Sequence, residues 1–129
     1  MNRHDIIDLQ ARRSYPSISI LMPTHRTSPA NKADPILLKN LVAEAENRLA
    51  HEFTKRETEP LMKKLEAVIA GIQWQHPLDG LGLFVSADYA DVFYVPITLN
   101  ERAVIDETFA TRDLVMALNR SPRYWVLAL

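Results

Sequence analysis

At 129 residues the chain is one ordinary domain, long enough to bury about two thirds of its unfolded surface in a single core. Apolar residues make up 47% and charged residues 24%, a balance that excludes intrinsic disorder, and the formal charge of −1 does not demand a nucleic-acid partner. The absence of cysteine excludes disulfides, thiolate chemistry and any zinc site built on sulfur.

The N-terminal residues Met1 to Asp5 lack the apolar region of a signal peptide, and no uncharged run reaches the length of about 18 residues that a membrane span requires. A cytoplasmic chain with no membrane partner is expected. Residues 4–13 suit a short helix, with Ile6, Ile7 and Leu9 apolar ahead of Arg12 and Arg13. Ser17 to Met22 alternates as a strand does, with Ile18 and Ile20 on one face and Leu21 on the other.

A polar connector, "MPTHRTSPANKADP", then leads into a long amphipathic segment. Asp34 is expected to cap its first N–H groups, and Pro35 to occupy the first helical position, where a missing N–H costs nothing. Leu38, Leu41, Val42, Ala45 and Leu49 then recur at helical spacing, opposite Lys39, Glu44, Glu46 and Arg48. Thr54 to Glu59 reads as a charged turn. A second helix is predicted from about Pro60, striped by Leu61, Leu65, Val68, Ile69 and Ile72, with Gly71 loosening its end. Two helices joined by a short turn normally pack antiparallel, which predicts a helical hairpin.

The texture changes at Gly80. "GLGLFVS" (Gly80 to Ser86) and "DVFYVPI" (Asp91 to Ile97) flank a turn at Ala87 to Ala90 and predict a β-hairpin. Arg102 to Asp106 adds a strand, and Thr111 to Asn119 a short helix capped by Thr111, with Asp113 at its positive end. The final "RYWVLAL" is β-prone and stops on an apolar residue, the pattern of a strand whose partner domain would follow. The fold class expected is α/β of the α+β type, a mixed or antiparallel sheet with a long antiparallel helical hairpin packed on it.

The connector is the candidate site. A strand followed by a helix start supplies N–H groups and a positive dipole, a generic anion site. The loop has no glycine, which excludes a nucleoside-triphosphate loop that must wrap phosphate with backbone. Its Thr24, His25, Arg26, Asn31 and Lys32, with Lys39 beyond them, remain competent for phosphate or RNA-backbone contacts. The plainer reading of the same residues is a solvated loop doing turn and cap work.

Catalytic and metal patterns are absent from the sequence. His4, His25, His51 and His76 form no ligand pair at helical spacing, and no serine lies in a nucleophile elbow. Glu44 and Glu46 point to different helix faces, and Asp88 and Asp91 read as turn formers. Trp74, Phe84, Phe93, Tyr94, Tyr124 and Trp125 are better placed for core packing than for stacking on bases. No cofactor or metal is implied. Charge is unevenly spread: residues 1–40 hold six Lys/Arg against three Asp, whereas Asp79 to Glu107 holds six acids against Arg102 alone. Such a layout orients a domain in the field of a polyanion.

Five ordered blocks, "SISILMPTHRTSP", "DPILLKNLVAEAENRL", "DGLGLFVS", "FATRDLVMAL" and "SPRYWVLAL", together resemble the N-terminal domain of the bacterial release-factor-like proteins, relatives of the archaeo-eukaryotic peptide-chain release factor and the Pelota-type rescue factors. The resemblance runs from about Ser17 to Leu129. It implies an N-terminal α/β domain over residues 1–122, with residues 123–129 opening an RNase H-like middle domain or ending this one, and a ribosomal-protein-like domain beyond. The Gly-Gly-Gln tripeptide on which peptidyl-tRNA hydrolysis depends in such factors does not occur here, nor does the Asn-Ile-Lys-Ser loop that reads stop codons. The implied role is that of a non-catalytic domain contacting ribosomal RNA or tRNA in or near the decoding site, with Thr24, His25, Arg26, Asn31, Lys32 and Lys39 as contact residues. A rival reading is a protein-interaction module that forms homodimers through its terminal strand or helical hairpin and has no nucleic-acid affinity.

Overall fold

The computed structural model describes residues 3–27, 29–74 and 78–119. Its centre is the strand whose alternation the sequence displays. β1 (Arg13–Pro23) carries Ile18, Ile20 and Met22 on one face and Ser19 and Leu21 on the other, all fully buried. Helices cover both faces, so the alternation sorts residues between two cores instead of between core and water.

β1 is flanked by β2 (Gly80–Ser86) and β4 (Arg102–Thr108), and β3 (Tyr89–Val95) completes an antiparallel sheet of order β3-β2-β1-β4. In register, Ile18 faces Val85 and Ile105, Ile20 faces Leu83 and Ala103, and Met22 faces Leu81. These side chains meet the buried faces of two helices, Leu38, Leu41, Ala45 and Leu49 of α2 (Asp34–Ala50) and Leu61 and Leu65 of α3 (Lys55–Ala70). α2 lies over β1 and β4, and α3 over β2 and β3. Leu21, Phe84 and Val95 point the other way. They pack with Ile6 and Leu9 of α1 (Arg3–Ala11), with Leu99 and Phe109, and with Leu114 of α4 (Arg112–Asn119). The architecture is therefore α+β in three layers, which explains why every residue of β2 is buried.

Several boundaries differ from the sequence reading. α1 ends at Ala11, and Arg13 already belongs to β1. The turn between β2 and β3 has two residues, Ala87 and Asp88, and Ser86 pairs with Tyr89. Asp88 accepts a hydrogen bond from the Ser86 hydroxyl at 3.1 Å, which fixes the tighter turn. Phe84 lies in the core, and Phe93, Tyr94 and Trp74 pack against it; Tyr124, Trp125 and the whole "RYWVLAL" segment lie outside the described residues. Among the described residues no helix is long and apolar enough to cross a membrane.

The stretch read as a charged turn is the beginning of α3. Thr54 is its cap: the Thr54 hydroxyl accepts from the Glu57 N–H at 3.2 Å, and Glu57 Oε1 accepts from the Thr54 N–H at 3.1 Å. This reciprocal capping box satisfies two donors that the helix start would otherwise leave open. Pro60 lies inside the helix, which forgoes one bond to the Arg56 carbonyl. Hydrogen bonds from the Thr54 backbone, then from its hydroxyl, hold the Glu57 carboxyl below the ordinary carboxylate range. A lowered folded value gives stability that is present above the unfolded value and lost as pH falls through the folded one. Thr54→Ala should cost about 1 kcal/mol at neutral pH and, because the backbone N–H of residue 54 remains, flatten only part of the acid limb of stability, measured by urea unfolding across the carboxylate range.

Candidate nucleic-acid interface

The site lies where β1 runs out. Thr24 is buried: its N–H donates to the Asp79 carbonyl at 3.0 Å and its hydroxyl donates to the Leu78 carbonyl. Thr24 therefore fastens the loop to the entry of β2 and offers little to a ligand. The Asp79 N–H in turn donates to the Val95 carbonyl at 3.1 Å, so three consecutive strands meet at this end of the sheet.

Two carboxylate contacts built on that end define the exposed surface, Asp79 with Arg26 and Asp34 with His25. Arg26 Nε donates to Asp79 Oδ1 at 2.9 Å and Nη2 to Asp79 Oδ2 at 3.3 Å, a two-pronged contact with both side chains partly open to solvent. The hydrogen bonds and the negative charge of Asp79 hold Arg26 above its ordinary pKa. A guanidinium has five N–H donors, and this pair engages two of them, leaving three without a partner among the described residues. His25, its neighbour in sequence, is held by Asp34. The backbone N–H of His25 donates to Asp34 Oδ2 at 2.7 Å, and its Nδ1 lies 2.7 Å from Asp34 Oδ1.

Asp34 was expected to cap α2, and it does not. A 3-10 turn, Ala30–Ala33, runs straight into the helix, so the residue before Asp34 already has helical backbone angles and no side-chain cap forms. Asp34 is the first helical residue and Pro35 the second, and the freed carboxylate turns back onto His25. This alters the electrostatics of the helix start. The N–H groups of Asn31, Lys32 and Asp34 are spent on the carbonyls of Thr27, Pro29 and Asn31, and Pro35 contributes none. With a carboxylate seated there as well, the backbone cradle inferred for an anion is largely used up, and any grip on phosphate falls to side chains.

Those side chains are His25, Arg26, Lys32 and Lys39, all exposed, with Asn31 half-buried. Lys32 and Lys39 have no carboxylate partner among the described residues. Sequence reasoning missed Asp79 and misassigned Asp34, the two carboxylates that orient Arg26 and His25. Asp34 was visible as a lone acid beside the loop, but Asp79 is 53 residues from Arg26 with no local pattern to link them. Among the described residues no group of three or more His, Asp or Glu is placed to hold a metal ion. The chain matches no family model and no curated protein.

Proposed function

We propose that this chain is the non-catalytic N-terminal domain of a release- or rescue-factor-like protein and that it docks on RNA in or near the decoding site of the ribosome. The observation that carries the reading is Arg26, fixed by Asp79 with its remaining donors unengaged among the described residues, on a loop that also bears His25, Lys32 and, on the adjoining helix, Lys39. The five-block resemblance supplies the ribosomal context. On this reading α2 and α3 act as an antiparallel hairpin that backs the sheet and holds the loop, and the catalytic work belongs to further domains of the longer factor.

Arg26→Ala combined with Lys32→Glu should weaken binding to ribosomes and to single-stranded RNA. Loss of two phosphate contacts should reduce the slope of log affinity against log salt by about 1.4, at about 0.7 per contact. Unchanged co-sedimentation with ribosomes and an unchanged slope would remove these residues from the interface.

The self-associating module draws support from exposed apolar side chains, Ile36 at 63%, Ile7 at 54% and Met116 at 48%. Pairing through the open edge of β4 is opposed by Arg48, whose Nη1 donates to the Ala103 carbonyl at 2.6 Å and occupies an acceptor that a second strand would need. A concentration-dependent dimer that retains no RNA at low salt would favour that reading.

A further inference from the structure

The imidazole of His25 has one nitrogen committed and one open. Asp34, only 2% exposed, engages Nδ1 and the backbone N–H of His25, one with each carboxylate oxygen. The His25 side chain itself is 47% exposed, and Nε2 makes no hydrogen bond among the described residues. A carboxylate only accepts hydrogen bonds, so a neutral imidazole in this contact carries its proton on Nδ1. Nε2 is then a lone-pair acceptor, locked in that role by a buried group that cannot turn away.

An acceptor of this kind does not suit a phosphate, which has nothing to donate. It suits a hydroxyl. The loop thus presents two complementary features on residues adjacent in sequence, donors on Arg26 that Asp79 holds in place and, in the neutral imidazole, an acceptor on His25. A ribonucleotide carries the matching pair, a phosphate that accepts and a 2′-hydroxyl that donates; a deoxyribonucleotide carries only the first. Thr24, the residue before His25, offers no nucleophile, because its hydroxyl is spent on the Leu78 carbonyl.

We infer that His25 Nε2 accepts a hydrogen bond from the 2′-hydroxyl of a bound RNA strand whose phosphate is held by Arg26, so that the His25–Asp34 pair makes this loop select RNA over DNA. The inference rests on the RNA-docking reading and assigns the sugar specificity of that surface.

Asp34→Asn is the decisive substitution. Its carbonyl oxygen can still accept from the backbone N–H of His25, which leaves its amide nitrogen facing Nδ1. That nitrogen donates, so the imidazole proton must move to Nε2 and the acceptor becomes a donor. The experiment measures affinities of the full chain for a labelled RNA and a DNA of the same sequence, at an alkaline pH where imidazole 15N spectra recorded in parallel show His25 neutral. The wild type should favour RNA by roughly three- to tenfold, the range of one hydrogen bond to a neutral group. Asp34→Asn and His25→Ala should each bring the ratio close to unity, and the spectra should place the His25 proton on Nδ1 in the wild type and on Nε2 in Asp34→Asn. Should Asp34→Asn not fold, His25→Ala alone decides, because its side chain is half exposed. A wild type that binds both polymers equally, or a ratio untouched in His25→Ala, overturns the sugar assignment and leaves RNA docking standing. No binding of either polymer overturns both.

Discussion

Phe84→Ala should lower the unfolding free energy by about 3–5 kcal/mol, the usual cost of emptying a buried aromatic site. Phe84 has no exposed surface and stands at the middle of the core beneath α1 and α4. Its ring lies 5.5 Å from that of Phe109, near edge-on, and 6.0 Å from that of Phe93; Phe109 in turn lies 5.6 Å from Tyr89. Gly82 makes room for it, since a Cβ at that position would come within 3.1 Å of the Phe84 ring. No neighbour can collapse into the space without breaking this aromatic cluster, so a cavity remains. Against a total stability of about 5–15 kcal/mol, the loss is large enough to unfold a marginal domain. Urea unfolding measures it, and hydrogen exchange localises it: amides of α1 and α4, which share this core, should lose protection before those of α2 and α3. Phe84→Leu, which retains most of the volume, should cost clearly less. A loss below about 1 kcal/mol for the alanine variant would show that the second core contributes little.

That second core was half legible in the sequence. The alternation of Ile18, Ser19, Ile20 and Leu21 showed that β1 has two faces, but periodicity does not say whether the second face meets water or another layer. Gly80 to Ser86 was read at its true limits because an uninterrupted apolar run bounded by turn residues has few alternatives. The start of α3 lies earlier than Pro60 suggests, although its signal is present in the sequence. Thr54 and Glu57 have the spacing of a capping box, and Pro60 outweighed them because proline usually opens a helix. The turn at Ala87 and Asp88 is shorter than the sequence suggests, because Tyr89 and Ala90 continue the strand through the pairing of Ser86 with Tyr89.

For the site, the residue types on the loop were legible and their state was not. His25 and Asp34 are nine residues apart, and their contact depends on a 3-10 turn that no apolar period announces. Arg26 and Asp79 meet only because β1 and β2 pair in a register that brings the end of one beside the beginning of the other. Orientation of these side chains is a product of the tertiary fold, so an inventory of polar and charged residues could name the surface without describing how it is held.

The dependence of the loop on that register makes Gly80→Ala the second large effect. A Cβ on Gly80 would lie 2.4 Å from the Ile97 carbonyl oxygen, 2.9 Å from Val95 Cγ2 and 3.0 Å from Leu99 Cγ. The first of these is backbone, which cannot rotate aside, so the segment after β3 or the first pair of β2 must move. The backbone of Gly80 is not in the left-handed region; the obstacle is space alone. The expected cost is about 1–3 kcal/mol, the range for forcing an extra methyl group into a packed site. The same movement reaches the proposed RNA surface, because Gly80 follows Asp79, whose carbonyl anchors Thr24 and whose carboxylate orients Arg26. If the proposed RNA docking holds, Gly80→Ala should therefore weaken RNA binding as the Arg26→Ala/Lys32→Glu variant does, although it removes no charge. Gly71→Ala provides the contrast. A Cβ there meets only ordinary contacts, at 3.6 and 3.9 Å, at a helix end whose angles alanine tolerates, and should leave stability unchanged or raise it by about 0.5 kcal/mol. If Gly80→Ala unfolds at the wild-type urea concentration, the close approach of Gly80 to Ile97 does not constrain the fold. If it is destabilised but binds RNA normally, the coupling from β2 through Asp79 to Arg26 fails, and Arg26 holds its orientation by some other means.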